Sequence, residues 1–288
     1  VTDAAALTRP ALIVKIDNVA PARPQAGLNE ADLVIETPVE GGLTRLFTVF
    51  HSMDASMIGP IRSARPVDTS LLRMLSGGVF AFSGGVAGTI NDIKSNSGAA
   101  VVYADVSPKY FKERKDRRKG HEVFGDSKTL LTVGLERKPE LTVPKSLFTY
   151  STTKPNGTPA SSVELHFPAT RCKWSWSGES WLREQEGTRD MLEDGSQANA
   201  ANVVVLSVAL TMTDGRDAAG SAVPLPGVIG TGTAWVLRDG VMVQGTWTRQ
   251  GDSQPFVLRD VSGTVIDLSA GRTWIELLPK PREPKLTS

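Results

Sequence analysis

The chain has 288 residues, 40% hydrophobic and 22% charged, and its 32 basic and 31 acidic side chains leave a formal net charge of +1. Such a length buries one large core or two ordinary ones, and so even a balance gives no global pull towards nucleic acid or an anionic bilayer. No apolar run approaches the roughly 20 residues needed to cross a membrane. The single Cys172 excludes an intrachain disulfide and leaves the compartment open.

The opening VTDAAALTRP has neither an initiator Met nor a basic-then-apolar leader, as expected of a mature chain that has lost a targeting segment. Residues 11–16 read as a strand ending at Asp17-Asn18, and Pro21 and Pro24 keep the next loop irregular. Residues 28–31 suit one helical turn. Two strands, 32–40 and 43–51, flank Gly41-Gly42, a two-residue hairpin signal. After the break at Gly59-Pro60, Pro66 suits the first turn of a helix running to about Leu75. Strand 79–82, turn Ser83-Gly84-Gly85, helix 86–94 and strand 99–106 follow as a βαβ unit. A basic run over 110–119 and a short helix over 127–133 complete a mixed α/β N-terminal domain, residues 1–148.

Residues 144–162 are rich in Ser, Thr, Pro, Asn and Gly, and a linker is placed at 149–162. Beyond it, strands are expected at 163–167, 172–176, 180–184, 203–212, 233–237, 241–247, 255–258 and 273–277. Turns such as Asp214-Gly215, Asp239-Gly240 and Ser262-Gly263 punctuate them. The C-terminal domain, 163–288, is therefore expected to be β-rich and meander-like, and the fold class α+β.

Charge gathers in residues 36–66. With Gly41 and Gly42 as the turn, Glu40 faces Leu43, Pro38 faces Arg45 and Glu36 faces Phe47, which sets Arg45 diagonal to both acids on one face. That trio either pins the strand register or belongs to a site. Four residues along a strand span roughly 13 Å, whereas paired glycosidase carboxyls stand about 5–9.5 Å apart. Glu36 and Glu40 thus make a poor catalytic pair unless Asp17 joins one of them. Arg62-Ser63-Ala64-Arg65 precedes a helix start, where N–H groups and guanidinium groups favour phosphate or carboxylate. Alternatively both arginines pair with Asp17, Glu36 or Glu40 and close the core. Arg45, Arg62, Ser63 and Arg65 are the candidate ligand-binding residues, and Asp17, Glu36 and Glu40 the orienting or acid/base candidates.

Other signals are weaker. Ser83 to Gly88 matches neither the dinucleotide fingerprint nor the phosphate loop. The basic run offers only Tyr110 and Phe111 for stacking and reads as a solvated loop, so no nucleic-acid partner is expected. His51, His121 and His166 lack metal-ligand spacing, and neither a metal nor a cofactor is expected. Cys172 alternates with Trp174 and Trp176 on one strand face and reads as core.

Arg9-Pro10, Ile16-Asp17-Asn18, Arg23-Pro24-Gln25, Gly27-Leu28, Glu30-Ala31-Asp32, Glu36, Glu40-Gly41-Gly42, Thr44-Arg45 and residues 59–66, GPIRSARP, together resemble the YerB-like bacterial lipoproteins. Residues 202–206, Asp239-Gly240, 245–247 and 271–276 extend the resemblance over nearly the whole chain. That family is grouped as a domain of unknown function with paired N- and C-terminal domains. The resemblance implies an exported, extracytoplasmic protein, tethered by a lipidated Cys upstream of Val1 and touching the membrane only through that anchor. It supplies no reaction and no ligand, and His121-Glu122 departs from the family's His-Asn. The sequence thus points to a cell-envelope, non-catalytic binding protein for an anionic ligand (glycan, phosphorylated polymer or peptide carboxylate), with an envelope polymer or envelope protein as partner. An envelope hydrolase using Glu40 or Asp17 as general acid/base, and an interaction scaffold working through the β-rich domain, are the alternatives.

Overall fold

The computed structural model describes residues 8–217 and 220–288, so the reading of the opening residues 1–7 as a mature start lies outside the described residues. Strands β1 (Leu12–Asp17), β2 (Leu33–Pro38) and β3 (Thr44–Phe50) are nearly continuous runs of apolar residues and Thr, the composition of strands covered on both faces. Helix α1 (Val67–Met74), β4 (Val79–Phe82), α2 (Ala87–Asn96) and β5 (Ala100–Tyr103) follow. The short pair β6 (Lys112–Glu113) and β7 (Val123–Phe124) frames the basic run, and α3 (Ser127–Arg137) begins with Asp126 accepting from the Thr129 N–H.

The remainder is β-rich, as expected. It comprises β8 (Thr158–Pro159), β9 (Ser162–His166), β10 (Arg171–Trp176), β11 (Trp181–Gln185), β12 (Thr188–Arg189), β13 (Asn199–Ala200) and β14 (Asn202–Val208). Then come β15 (Leu210–Arg216), β16 (Ala222–Pro226), β17 (Gly230–Arg238), β18 (Val241–Arg249), β19 (Val257–Asp260), β20 (Thr273–Pro279) and β21 (Lys285–Thr287). The single strand expected over 203–212 is two. The buried β14 stays in the main sheet, and after Ala209 the mostly exposed β15 pairs with β16 as a separate ribbon.

One sheet runs through the molecule in the order β19-β18-β17-β14-β20-β2-β3-β1-β4-β5, with β8 added to β18. Strand β20 lies between β14 and β2 and is parallel to both. Residues on both sides of 149–162 therefore build the same sheet. The 149–162 segment itself is tied down: the Ser151 N–H donates to Leu268 O, and Arg238 Nη2 donates to the carbonyls of Ser151 and Thr153.

Helices α1 and α2 cover one face of the sheet, packing on Ile13, Ile35, Phe47, Phe80 and Phe82. The other face is covered by α3 and by a smaller sheet, β12-β11-β10-β9-β21 with β13 beside β11. Helix α3 comes very close to β4, because a Cβ on Gly134 would stand 2.3 Å from Val79 Cγ1. Between the two sheets Trp174 and Trp274 meet edge to face at 5.0 Å.

Candidate functional site

The β2–β3 hairpin is not closed by a two-residue turn. Glu40–Gly42 forms a 3-10 turn, the Val39 N–H donates to Leu43 O, and Gly41 and Gly42 both take positive φ. The register becomes Glu36 opposite Leu46, Thr37 opposite Arg45 and Pro38 opposite Thr44. This differs by one residue from the expected pairing, and a one-residue slip sends a side chain to the opposite face. Glu36 and Arg45 consequently lie on opposite faces, and the expected trio of Glu36, Glu40 and Arg45 does not form.

On the Arg45 face the other candidates do converge. Strands β1, β4 and β5 run parallel, so their carboxyl ends open together, the usual place for a ligand crevice in such a sheet. Residues 61–64 wedge between the ends of β1 and β4. The Arg62 N–H donates to Lys15 O at 2.8 Å, the Ser83 N–H to Arg62 O at 3.0 Å, and the Ala64 N–H to Gly84 O at 3.1 Å. Gly84 is required here, since at φ +80° its Cβ would stand 2.7 Å from Ser63 Oγ.

Four cations and three carboxylates meet at this wedge. Lys15, wholly buried, binds Asp68 at 2.7 Å, and burial still pulls its pKa below the usual lysine value against the pull of Asp68. Arg65 donates through Nε and Nη2 to Glu40 Oε2 at 2.9 and 2.6 Å and through Nη1 to Ala64 O. Arg62 Nε lies 3.2 Å from Asp17 Oδ2 as an ion pair without hydrogen-bond alignment, and its Nη atoms have no partner among the described residues. Arg45 has only Ser63 O, 3.2 Å from Nη1, while its Nε is buried without a partner. Burial, then the neighbouring Arg65 and Arg62, bring Arg45 down to about 10 against Asp17 and Glu40. The Ser63 hydroxyl makes no hydrogen bond among the described residues.

The start of α1 is not itself open to an anion. Asp68, in its first turn, accepts from the Arg65 N–H at 2.7 Å and fills that position with its own carboxylate. The local chemistry therefore rests on the guanidinium groups rather than on the helix terminus.

His121 joins this group, a placement that the sequence signalled only weakly. Its Nδ1 lies 3.0 Å from Asp17 Oδ2, and Asp17 Oδ1 accepts from the Asn18 N–H. A sign was present in the basic run that ends at Gly120-His121, but only tertiary packing carries that loop onto β1.

Glu36 belongs elsewhere and does not orient the arginines. On the opposite face it accepts from Arg183 Nη2 at 2.7 Å and from Asn18 Nδ2 at 3.1 Å. Arg183 also binds Asp190 and Gln185 and stands 5.0 Å from the Trp274 ring centre. Burial lowers the Arg183 pKa, but Glu36 and Asp190 outweigh it, and the guanidinium is held well above its ordinary value. Across the strand pair, Glu276 faces Glu36, and burial followed by the Glu36 charge raises its carboxyl well above the ordinary range. Glu36, Cys172 and Glu276 bring potential ligand atoms within 4.8 Å of one another. Burial also raises the Cys172 thiol well above its ordinary value, whereas metal ligation requires deprotonated ligands. Cys172 sits in the core, as read from its strand.

A groove of about 940 Å³ lies at the other end of the sheet between Asp32, His51, Met53, Val143 and Tyr150. It contains none of the charged candidates.

Two family models match the chain: that described as "Protein of unknown function (DUF3048) N-terminal domain" over residues 1–140 and the DUF3048 C-terminal domain over 163–275. The chain belongs to the DUF3048 family. "Putative lipoprotein YerB" of Bacillus subtilis (strain 168) is 47% identical over 57 residues, which cover 20% of this chain and only 17% of that relative. The crystal structure of YerB protein from Bacillus subtilis superposes with a TM-score of 0.86 at 20% identity, over 100% of this chain and 97% of that one. The DUF3048 fold is thus shared over the full length. No helix among the described residues is long and apolar enough to cross a membrane.

Proposed function

We propose that this DUF3048 protein is an exported, envelope-associated binding protein that takes an anionic group between Arg45, Arg62 and Ser63. The group would belong to a glycan, a phosphorylated polymer or a peptide carboxylate. The observation that carries this reading is Arg45. Lys15, Arg62 and Arg65 each have a carboxylate partner in Asp68, Asp17 and Glu40, while Arg45 has a single carbonyl. Burial first, and then the neighbouring Arg65 and Arg62, lower the Arg45 pKa to about 10 against the pull of Asp17 and Glu40. Carboxylate or phosphate oxygens would meet it with charge-assisted hydrogen bonds.

Arg65, bound to Glu40, acts as a wall of the site, and Asp17 holds Arg62. Glu40 accepts from Arg65 and Asp17 forms an ion pair with Arg62, an orienting arrangement. The similarity to the protein named "Putative lipoprotein YerB" supports export and a lipid anchor as the cellular setting. The test is binding of the wild type and of an Arg45→Ala/Arg62→Ala variant to purified envelope polymers by co-sedimentation. At least a tenfold loss is expected in the variant, and unchanged binding ends the reading.

A further inference from the structure

We infer that the bound anion is a phosphoryl group, and that His121 is a fourth anchoring residue beside Arg45, Arg62 and Ser63, entering the complex with a proton. This rests on the anion site proposed above and names its ligand class.

His121 Nδ1 and Arg62 Nε both lie within 3.2 Å of the same oxygen, Asp17 Oδ2. Asp17 is directly opposite Arg45 in the β1–β3 register. Three side chains from three separate segments are thus gathered about one buried carboxylate. The loop that carries His121 is fixed, because Arg114 and Arg117 both bind Glu193 and both stack on Phe124. Gly120 brings that loop against Arg62, for a Cβ there would stand 3.6 Å from Arg62 Nη2.

Asp17 also determines which imidazole nitrogen is free. A carboxylate accepts only, so the hydrogen lies on Nδ1, and the neutral ring keeps its lone pair on Nε2. Among the described residues Nε2 has no partner. To donate to an anion it must first gain a proton from solvent, which converts the ring to an imidazolium between Asp17 and the ligand. The charged groups around the ring are Asp17 on β1, Arg62 in the wedge, Arg45 across Asp17, and Arg118, Lys119 and Glu122 on its own loop.

The number and direction of donors select the ligand. One guanidinium fork satisfies a planar carboxylate. Here Arg45 on β3, the Nη groups of Arg62 with the Ser63 hydroxyl in the wedge, and the imidazolium on the 114–122 loop supply donors from three segments. So many donors exceed what the two oxygens of a carboxylate accept and suit the larger number of oxygens on a phosphoryl group. The unmatched charge of Arg45 together with an imidazolium balances a dianion.

The test is calorimetry on the full chain with three probes: sulfate, a tetrahedral dianion that does not titrate near neutrality, glycerol phosphate and acetate. Titrations at pH 7 in buffers of different ionisation enthalpy count the protons taken up. The inference expects sulfate and glycerol phosphate to bind at least tenfold more tightly than acetate. It also expects sulfate binding to take up a substantial fraction of one proton in the wild type and none in His121→Gln or His121→Ala. Acetate binding as tightly as sulfate, or equal proton uptake in the His121 variants, overturns it. If none of the probes binds and Arg45→Ala also leaves polymer binding unchanged, the underlying anion site falls with it. Thermal unfolding of both His121 variants confirms that the comparison is between folded proteins.

Discussion

Arg183, at the centre of the small sheet, donates to Glu36 of the large sheet at 2.7 Å, and neither side chain reaches solvent. A charge pair taken fully out of water depends on each partner. Removing one strands the other, at a cost of about 3–5 kcal/mol, whereas replacing both with apolar or neutral groups is often tolerated. Arg183→Met should therefore be severely destabilised in urea unfolding, and adding Glu36→Gln to it should recover much of the loss. Additive losses in the double variant would show that the two residues are not coupled.

Glu276 gives stability a pH signature. Its carboxyl is raised by burial and by Glu36, so the folded protein keeps a proton that the unfolded chain releases above about pH 4.3. Stability is then lost as pH rises through that point, until the folded group also ionises. Glu276→Gln cannot ionise, and its amide can still accept from Trp174 Nε1 while donating to Glu36. We expect the variant to gain on the wild type by at least about 1 kcal/mol between pH 4 and pH 8. A constant difference across that range in urea melts would refute the assignment.

Arg45 is expected to trade stability for binding. Its charge is disfavoured in the fold at every pH below about 10, by burial and by Arg65 and Arg62. Arg45→Met keeps the length of the stem and removes the repulsion. The ligand-free variant should be more stable than the wild type by about 0.5–2 kcal/mol in thermal unfolding, while losing anion binding. Lower stability would mean that Arg45 is structural.

Gly134 tests the packing of α3. In an exposed helix, Gly→Ala gains about 1 kcal/mol. At this position the added methyl would meet Val79 Cγ1 at 2.3 Å, and overpacking costs about 1–3 kcal/mol. Gly134→Ala should lower the Tm by a few degrees, opposite to the propensity trend.

Most elements were legible because their patterns are local. The strand of residues 12–17, the helix after Pro66 and the Gly-rich βαβ turn all follow from periodicity and from proline and glycine placement. The hairpin register was not legible, since Gly41-Gly42 suits a tight turn as well as it suits a 3-10 turn followed by a left-handed residue. That ambiguity of one residue moved Glu36 from the arginine group into the core beside Arg183. Glu276 carried a sign of its own, a lone acid in the apolar run of residues 273–279. His121 carried almost none, because its place depends on the contact with Asp17, 104 residues away. Charged residues near one another in sequence could be grouped from it, whereas His121, delivered by a long loop, could not.

Strand β20 also gives the molecule a closing stitch. It is made long after β2, yet it sits against β2 on one edge and β14 on the other. Until it emerges, a growing chain holds two seams of unpaired N–H and C=O groups, the kind of edge on which chains adhere to one another. Full closure therefore waits on residues 273–279. A ribosome releasing this chain would hold its main sheet as two unfinished halves, stitched together once β20 is made.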